Sequence, residues 1–362
     1  MRLHLLLLVV WFLGVSCVLS PVGANSSSAL FSECRDEQGS ASWREAQALL
    51  SDGNDEAALI SLRTTLNRCP DLVRAHIAYQ DAARRLGGQQ AQAMVDFYAD
   101  LPSSRSANQR SPVPAYMRAR LTETAYAQSN ALDQILGEFE SFGWGFLSRG
   151  RINRGQGRLS EALNNLDAAI VNDSSLIEAR LERAQVLVEL GRDEEAAVEF
   201  RIYLQERPGD LAAVREYVTL LLYRLPRVDE ALKYLDWLEQ QGERSPSLKM
   251  DRAAALWRAK QPQAAVELYL EILAGEPTMS RAALNIGLLY YEILPKTDAD
   301  RRRYWPKARA AFELFLKGSE PDDGYEQFER TWAVPYRLRL IAELLGESTG
   351  PASLDDLRWP SS

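Results

Sequence analysis

The chain has 362 residues, of which 46% are hydrophobic and 25% are charged, and its formal net charge at pH 7 is −8. This composition is ordinary for a folded protein and argues against long disordered regions away from the ends. The negative charge argues against general binding to nucleic acid or to an anionic membrane surface, because both require a dense positive face; a local basic groove remains compatible with it. The length predicts either two domains or one extended array.

The N-terminal residues have the three parts of a secretory signal peptide. Arg2 supplies a positive start, an apolar run extends from Leu5 to Leu13, and Val22-Gly23-Ala24 offers a small-residue cleavage site. We predict cleavage after Ala24, export to the periplasm or the secreted space, and no membrane span in the mature chain. Two alternatives stay open. Cys17 and the residues before it resemble a lipoprotein box, which predicts lipid anchoring, and an uncleaved segment would itself be an anchor.

Cleavage after Ala24 would leave two cysteines, Cys34 and Cys69. An even number of cysteines in an oxidising compartment favours a disulfide, so we predict a bond between these two, with two unrelated thiols as the alternative. The pair provides too few ligands for a metal ion. We therefore predict neither a metal site nor a cofactor.

Small residues recur at intervals of 34 or 35 residues through the middle of the chain: Ala162, Ala196, Ala231 and Ala265. A larger residue follows each of them after four positions and a further apolar residue after seven, so that three side chains share one face of an amphipathic helix. The preceding helix of each unit carries a second set of small residues: Gly150, Ala184, Ala253 and Gly287. We expect the two sets to meet where two helices cross at short distance.

In these positions the chain resembles the tetratricopeptide repeat family, whose unit is a pair of antiparallel helices. The match is fullest between Ile177 and Asp210, where the family's positions are occupied by Ala184, Gly191, Ala196, Phe200, Tyr203 and Pro208. The resemblance covers residues 39–320 and is most specific in 143–277. It implies an all-α fold, a right-handed superhelical array (a solenoid) whose hairpins stack because one hairpin alone cannot bury its apolar stripe.

The expected organisation follows the quality of this match. After a signal peptide at 1–24 we predict an N-terminal segment at 25–38, N-terminal hairpins at 39–102, a linker at 103–112, a divergent helical segment at 113–142, the main array at 143–320, a C-terminal capping helix at 321–346 and a flexible tail at 347–362. Extra residues interrupt the repeat register near its end. They predict an inserted loop at about 295–307.

Few residues of the chain could carry catalysis. The mature chain would hold one histidine, His76, which we expect to be a partly exposed helix residue. No zinc, phosphate-loop or calcium motif occurs in the sequence. The acidic run Asp193-Glu194-Glu195 is expected to stabilise the start of a helix. We predict that the chain is not an enzyme and has no catalytic residues; an unrecognised site in 72–141 is the least favoured alternative.

The resemblance implies a binding surface, because the first helix of each hairpin lines the concave face in this family. Arg151 and Arg154 there predict contact with an acidic segment of a partner, with a solvated face as the alternative. The predicted loop at 295–307 is a second candidate surface because it combines arginines with aromatic residues; packing of Trp305 onto the start of its own helix is the alternative. The predicted partner-binding residues are Trp144, Arg151, Arg154, Glu178, Leu181, Gln185, Glu189, Arg281, Leu288, Tyr291, Arg302 and Trp305.

Together these features predict an exported, bacterial-type, non-enzymatic scaffold or adaptor. It would bind proteins or peptides in the cell envelope or the secreted space and support the assembly or trafficking of a complex. A membrane-anchored accessory subunit of an envelope machine is the alternative. The sequence does not identify the partner.

Overall fold

The computed structural model describes residues 31, 33–102, 110–225, 227–318 and 323–346. Within these ranges the chain is all-α and contains no β-strand, which confirms the predicted fold class. The predicted signal peptide, most of the predicted linker and the predicted tail lie outside the described residues. The chain divides into two compact units, residues 1–182 and 183–362.

In the first unit, consecutive helices pack against each other as antiparallel hairpins. The pairs are α1 (Glu37–Ser51) with α2 (Asp55–Arg68), α3 (Val73–Leu86) with α4 (Gly88–Asp100), α5 (Val113–Ala119) with α6 (Ala125–Glu138), and α7 (Gly143–Gly155) with α8 (Leu159–Asn172). The next helix, α9 (Ile177–Glu189), runs across the boundary between the units in sequence.

The second unit continues the same pattern. Its helices are α10 (Asp193–Glu206), α11 (Leu211–Tyr223), α12 (Val228–Gln240), α13 (Pro246–Arg258), α14 (Pro262–Gly275), α15 (Ser280–Leu288), α16 (Asp298–Lys317), α17 (Gly324–Phe328) and α18 (Val334–Leu345). A π-helical turn at Leu289–Ile293 extends α15, and another at Glu329–Ala333 joins α17 to α18. The hairpins pair α11 with α12, α13 with α14, and α15 with α16.

The small residues of the repeat lie where the helices of a hairpin cross. The four alanines at the start of the second helices, Ala162, Ala196, Ala231 and Ala265, are fully buried. A Cβ atom added at Gly150 would lie 2.9 Å from Cγ of Leu166, and one added at Gly287 would overlap the ring of Phe312. Leu166 and Phe312 each follow the small residue of their helix by four positions. The packing therefore confirms the predicted register in both units.

The prediction of a loop at 295–307 is wrong, because residues 298–307 form the first turns of α16. Thr297 caps this helix: its Oγ1 accepts a hydrogen bond from the backbone N–H of Asp300 at 3.1 Å, and the Asp300 carboxylate accepts one from the backbone N–H of Thr297 at 3.0 Å. Such a reciprocal cap starts a helix efficiently. The extra residues thus lengthen a helix that the repeat pattern would have begun later.

Candidate protein-interaction surfaces

The basic pair predicted on α7 is held by one carboxylate. Arg151 Nε lies 2.6 Å from Oε1 of Glu182, and Arg154 Nη1 lies 3.4 Å from Oε2 of the same residue. Arg149, on the same helix, pairs with Asp133 at 2.9 Å. These carboxylates offset part of the positive charge on which an acidic ligand would depend. Both guanidinium groups remain accessible, since Arg151 is 40% exposed and Arg154 is 30% exposed.

Trp144 is not accessible on the surface of this structure, because the residue is only 2% exposed. The guanidinium carbon of Arg74, from α3, lies 5.6 Å from the centre of the Trp144 ring. The same guanidinium binds the carboxylate of Glu178 through two contacts of 2.9 Å. Two residues predicted to face a partner are therefore covered by a side chain from an earlier hairpin.

Three further predicted contacts lie on α9. Leu181 is half-buried, Gln185 is partly exposed and Glu189 is exposed. Within the second unit the Gln185 amide donates a hydrogen bond to Glu216 of α11 at 2.8 Å. First helices of successive hairpins are thus joined by polar contacts of the kind that line a surface rather than a core.

The residues predicted around α15 and α16 divide between core and surface. Leu288 is 7% exposed and Trp305 is 8% exposed, so neither offers a free contact. The Trp305 ring stacks on Tyr291 with 5.4 Å between centroids, and its Nε1–H donates to the backbone carbonyl of Tyr291 at 3.3 Å. Trp305 is buried because it lies inside a helix that packs on α15. Arg302 is exposed on the same helix.

Arg281 anchors the last helices rather than projecting freely. Its Nε lies 2.9 Å from Oε1 of Glu326, a fully buried carboxylate at the start of α17, and the guanidinium also pairs with Asp323. Burial of a carboxylate is tolerated when a cation satisfies it. The predicted partner contact at Arg281 is therefore occupied by the chain itself.

Sequence reasoning missed an apolar surface on α17, α18 and the turn between them. Tyr325, Phe328, Trp332, Tyr336 and Leu344 are 53%, 57%, 69%, 56% and 68% exposed; we call these five residues the aromatic face. They are spaced by three, four, four and eight positions, which places them along one side of the helical run. The opposite side supplies buried core residues such as Val334 and Ile341. The aromatic spacing is readable in the sequence, but there it indicates a core stripe equally well.

A smaller polar cluster joins α11 to α13. The hydroxyl of Tyr223 donates to Oδ1 of Asp251 at 3.0 Å, and the guanidinium carbon of Arg258 lies 4.9 Å from the centre of the tyrosine ring. Burial raises the pKa of Asp251, and the hydrogen bond from Tyr223 only partly offsets this. Burial and the charge of Asp251 also raise the pKa of Tyr223, so its hydroxyl remains a donor at neutral pH.

A cavity of about 230 Å³ in the first unit lies beside His76, within the region where an unrecognised enzyme site was the least favoured alternative. His76 is 1% exposed, so the expectation of a partly exposed residue is wrong. Its Nδ1 lies 3.0 Å from the hydroxyl of Tyr98, and its Nε2 lies 2.9 Å from the carbonyl of Pro70. Ser111, at the cavity wall, donates to Asp71 at 2.6 Å. These contacts do not build the serine–imidazole pair of a hydrolase.

Two searches of the described residues were negative. No group of three or more histidine, cysteine, aspartate or glutamate side chains in those ranges is arranged to hold a metal ion. None of the helices in the described part of the chain has both the length and the apolarity needed to cross a membrane.

Comparison with solved structures finds similar proteins of low sequence identity. YrrB, a tetratricopeptide repeat protein with an unusual peptide-binding site, is 19% identical over 56% of this chain and 98% of its own, with a TM-score of 0.44. The pilF protein of Pseudomonas aeruginosa is 18% identical over 68% of this chain and 95% of its own, with a TM-score of 0.38. A tetratricopeptide repeat protein of Parabacteroides merdae is 12% identical over 84% of this chain and 99% of its own, with a TM-score of 0.36.

No curated protein matches the chain. The model of the tetratricopeptide repeat family, in contrast, matches residues 147–210 and 220–280. These residues hold the buried alanines and the crossing glycine Gly150 that define the hairpin register. Residues 147–210 and 220–280 are therefore similar to tetratricopeptide repeats.

Proposed function

We propose that this chain is an exported, non-enzymatic adaptor that captures a partner protein, and that the aromatic face is its main contact surface. The main support for this proposal is that five large apolar side chains, each more than half exposed, lie together at the C-terminal end of the repeat array. The last element of a repeat array normally presents a polar outer side, which keeps the array soluble. An apolar outer side at this end favours coverage by another protein.

The size and chemistry of the aromatic face support a specific interface. Four half-exposed aromatic side chains and Leu344 amount to about 500 Å² of apolar surface, given the roughly 150–250 Å² that each aromatic residue can bury. A standard interface buries about 800 Å² on each partner, so the aromatic face would form its core and polar neighbours its rim. Trp332 and Tyr336 belong to the residue types that dominate binding energy.

The charges beside the aromatic face indicate what kind of partner it suits. Arg339 and Glu343 are exposed on α18 and have opposite signs, so the local charge is balanced. We therefore propose a partner that presents an apolar groove or helix stripe. An acidic segment remains the ligand predicted for Arg151 and Arg154, and that prediction belongs to a different surface on the first unit.

Export is part of the proposal, and the cysteines provide its test. The proposed bond between Cys34 and Cys69 is supported by the 5.5 Å between their Cα atoms, and it would join residues that are 35 positions apart in sequence. Such a bond would contribute about 3–4 kcal/mol in the chain-entropy model. We expect that alkylation of the unreduced, denatured native protein labels neither cysteine. Two alkylated thiols, detected by mass spectrometry, would contradict both the bond and the argument for an oxidising compartment.

The aromatic face is tested by changing Trp332 and Tyr336 together to serine. We expect cross-linking pull-down from the native compartment to recover its specific partner at least tenfold less well, because two central aromatic contacts are typically worth 2 kcal/mol or more each. Helix content and melting temperature should stay nearly constant, since both side chains are exposed.

Two matched variants make that experiment decisive. Changing Tyr126 and Val171 to serine removes two large exposed apolar side chains, 76% and 83% exposed, from the first unit and should leave capture unchanged. Glutamine at Arg151 and Arg154 tests the acidic-segment prediction without placing new carboxylates beside Glu182. Unchanged capture by the Trp332 and Tyr336 variant would contradict the proposed contact, and loss with the arginine variant alone would move the contact to α7.

A further inference from the structure

The residues that precede α1 contact a distant hairpin of the first unit. The ring of Phe31 lies 5.2 Å from the ring of Phe142, at an interplanar angle of 79°. Phe142 precedes the first residue of α7 and is 1% exposed. Its ring is also 5.3 Å from that of Tyr116, again edge to face. Phe31 therefore completes an aromatic group whose other members belong to α5 and the start of α7.

A cationic group lies in the same part of the unit. The Arg74 guanidinium packs over the Trp144 ring, binds Glu178 and donates to the carbonyl of Ser175 at 3.0 Å. Burial alone would lower the pKa of Arg74, but the bond to Glu178 and the charges of nearby carboxylates, Glu33 among them, raise it. The group therefore stays positively charged and attracts Glu33.

One buried donor in this region is left without an acceptor. The indole Nε1 of Trp144 is buried, and it has no hydrogen-bond partner among the described residues. A buried N–H without an acceptor destabilises the fold, so such a group commonly marks a place where a ligand atom or a water molecule binds. A carbonyl oxygen of a bound peptide is the acceptor that an indole N–H most readily accommodates.

The segment that carries Phe31 and Glu33 is attached at one end. The carbonyl of Cys34 accepts a hydrogen bond from Oγ of Ser40 at 2.7 Å, and Cys34 is placed against Cys69 at the end of α2. A Cβ atom at Gly39 would lie within 3 Å of both sulfur atoms, so α1 packs closely on this point. Phe31 and Glu33 lie just before this anchor in sequence.

We propose that Phe142, Trp144 and Arg74 form a binding site for a peptide that carries an aromatic residue two positions before a carboxylate. In the free protein, Phe31 and Glu33 lie at this site as the chain's own ligand. The Phe31 ring packs on Phe142 and the Glu33 carboxylate lies near Arg74, while the indole N–H of Trp144 has no acceptor among the described residues. A peptide that replaces this segment would supply a backbone carbonyl to that N–H. A partner segment of the same pattern binds when it displaces the tethered one.

Because Phe31 and Glu33 are tethered to the chain, the strength of their competition with an added peptide can be estimated. A short tether holds a ligand at an effective concentration on the order of 1 mM. For a free peptide with a dissociation constant of about 100 µM, competition at that concentration raises the apparent constant about tenfold. Removing the two side chains from the tethered segment should therefore expose the site without altering its walls.

The test uses the full mature chain and a fluorescent peptide of the sequence Ser-Ala-Leu-Phe-Ser-Glu, which is residues 28–33. Fluorescence anisotropy should give about tenfold tighter binding to the Phe31→Ala/Glu33→Gln variant than to the unaltered chain. The Phe31→Tyr variant keeps an aromatic ring, so it should bind the peptide as weakly as the unaltered chain does. A peptide with Ala in place of Phe should not bind, and a peptide with Gln in place of Glu should bind more weakly and with less salt dependence.

Hydrogen exchange gives a second measurement that needs no peptide. In the Phe31→Ala chain, amides in the first turn of α7 should exchange faster than in the unaltered chain, while those of α8 should not change. Equal peptide binding by the altered and unaltered chains, or no saturable binding by the folded variant, would overturn the proposal. Unchanged exchange in α7 would overturn the occupancy of the site by Phe31. None of these results depends on Trp332 or its partner.

Discussion

Gly287→Ala is expected to destabilise the second unit by about 1–3 kcal/mol, although alanine is intrinsically the better helix former. The new Cβ atom would overlap the ring of Phe312, which is fully buried in the crossing between α15 and α16. The ring cannot yield easily, because the Tyr291 ring lies 6.2 Å away on the same helix pair. Urea unfolding monitored by circular dichroism measures the change.

Gly275→Ala is the matched control. Gly275 is the last residue of α14, and a Cβ atom added there meets no atom within 4 Å. The substitution should be neutral or should stabilise by up to about 1 kcal/mol, since alanine loses less backbone entropy on folding. Equal destabilisation by the two changes would mean that the crossing point of the hairpin has been assigned to the wrong residue.

Arg337→Met is expected to have the larger effect, a loss of about 3 kcal/mol or more. Arg337 on α18 pairs with Glu329, whose side chain is 3% exposed, and lies 3.1 Å from Glu292. Methionine keeps much of the apolar contact with the Tyr291 and Phe312 rings but leaves the buried carboxylate without its cation. Thermal and urea unfolding of the purified chain measure the loss.

Two further variants separate the charge effect from general damage. Changing Glu329 to methionine in addition should recover most of the loss, because the uncompensated carboxylate is then gone. Lys249→Met removes a pair with Glu271 in which the partners are 38% and 64% exposed, and it should cost less than about 1 kcal/mol. A double variant as unstable as Arg337→Met would contradict the electrostatic explanation.

The fold and the hairpin register were predictable from the sequence because the signal is local and periodic. A small residue in the second helix and a large one four positions later recur with each unit, and the packing of Gly150 on Leu166 and of Gly287 on Phe312 follows that pattern. The start of α16 was also readable. Thr297 and Asp300 form a capping box, but the prediction followed the interrupted repeat and placed a loop there.

The partner-binding residues were harder to predict, because the exposure of a side chain depends on contacts with residues that are distant in sequence. Trp144 occupies a position of the first helix that commonly faces a groove, yet Arg74 from α3 lies over its ring. Nothing in the local sequence around Trp144 specifies that contact. For Trp305 the sequence left two possibilities, a loop surface and packing at the start of its helix, and the structure shows the second, because Trp305 is buried within α16.

The aromatic face was missed for a related reason. A helical stripe of large apolar residues specifies that one side of the helix is apolar, but not whether a neighbouring helix covers that side. In the last helices the core side is supplied by Val334 and Ile341, whereas the aromatic stripe remains exposed. Which of the two sides is buried depends on how the preceding hairpins pack against these helices.

Site-specific photo-cross-linking tests most directly whether the aromatic face holds a partner protein. A photoreactive phenylalanine derivative replaces Trp332 in one sample and Tyr126 in another, since both positions are more than two-thirds exposed. Irradiation in the native compartment should yield a discrete adduct of this chain with one other protein from position 332 and not from position 126. The adduct should disappear when Tyr336 is also changed to serine. Absence of an adduct at position 332, or the same adducts from both positions, would contradict the proposed function.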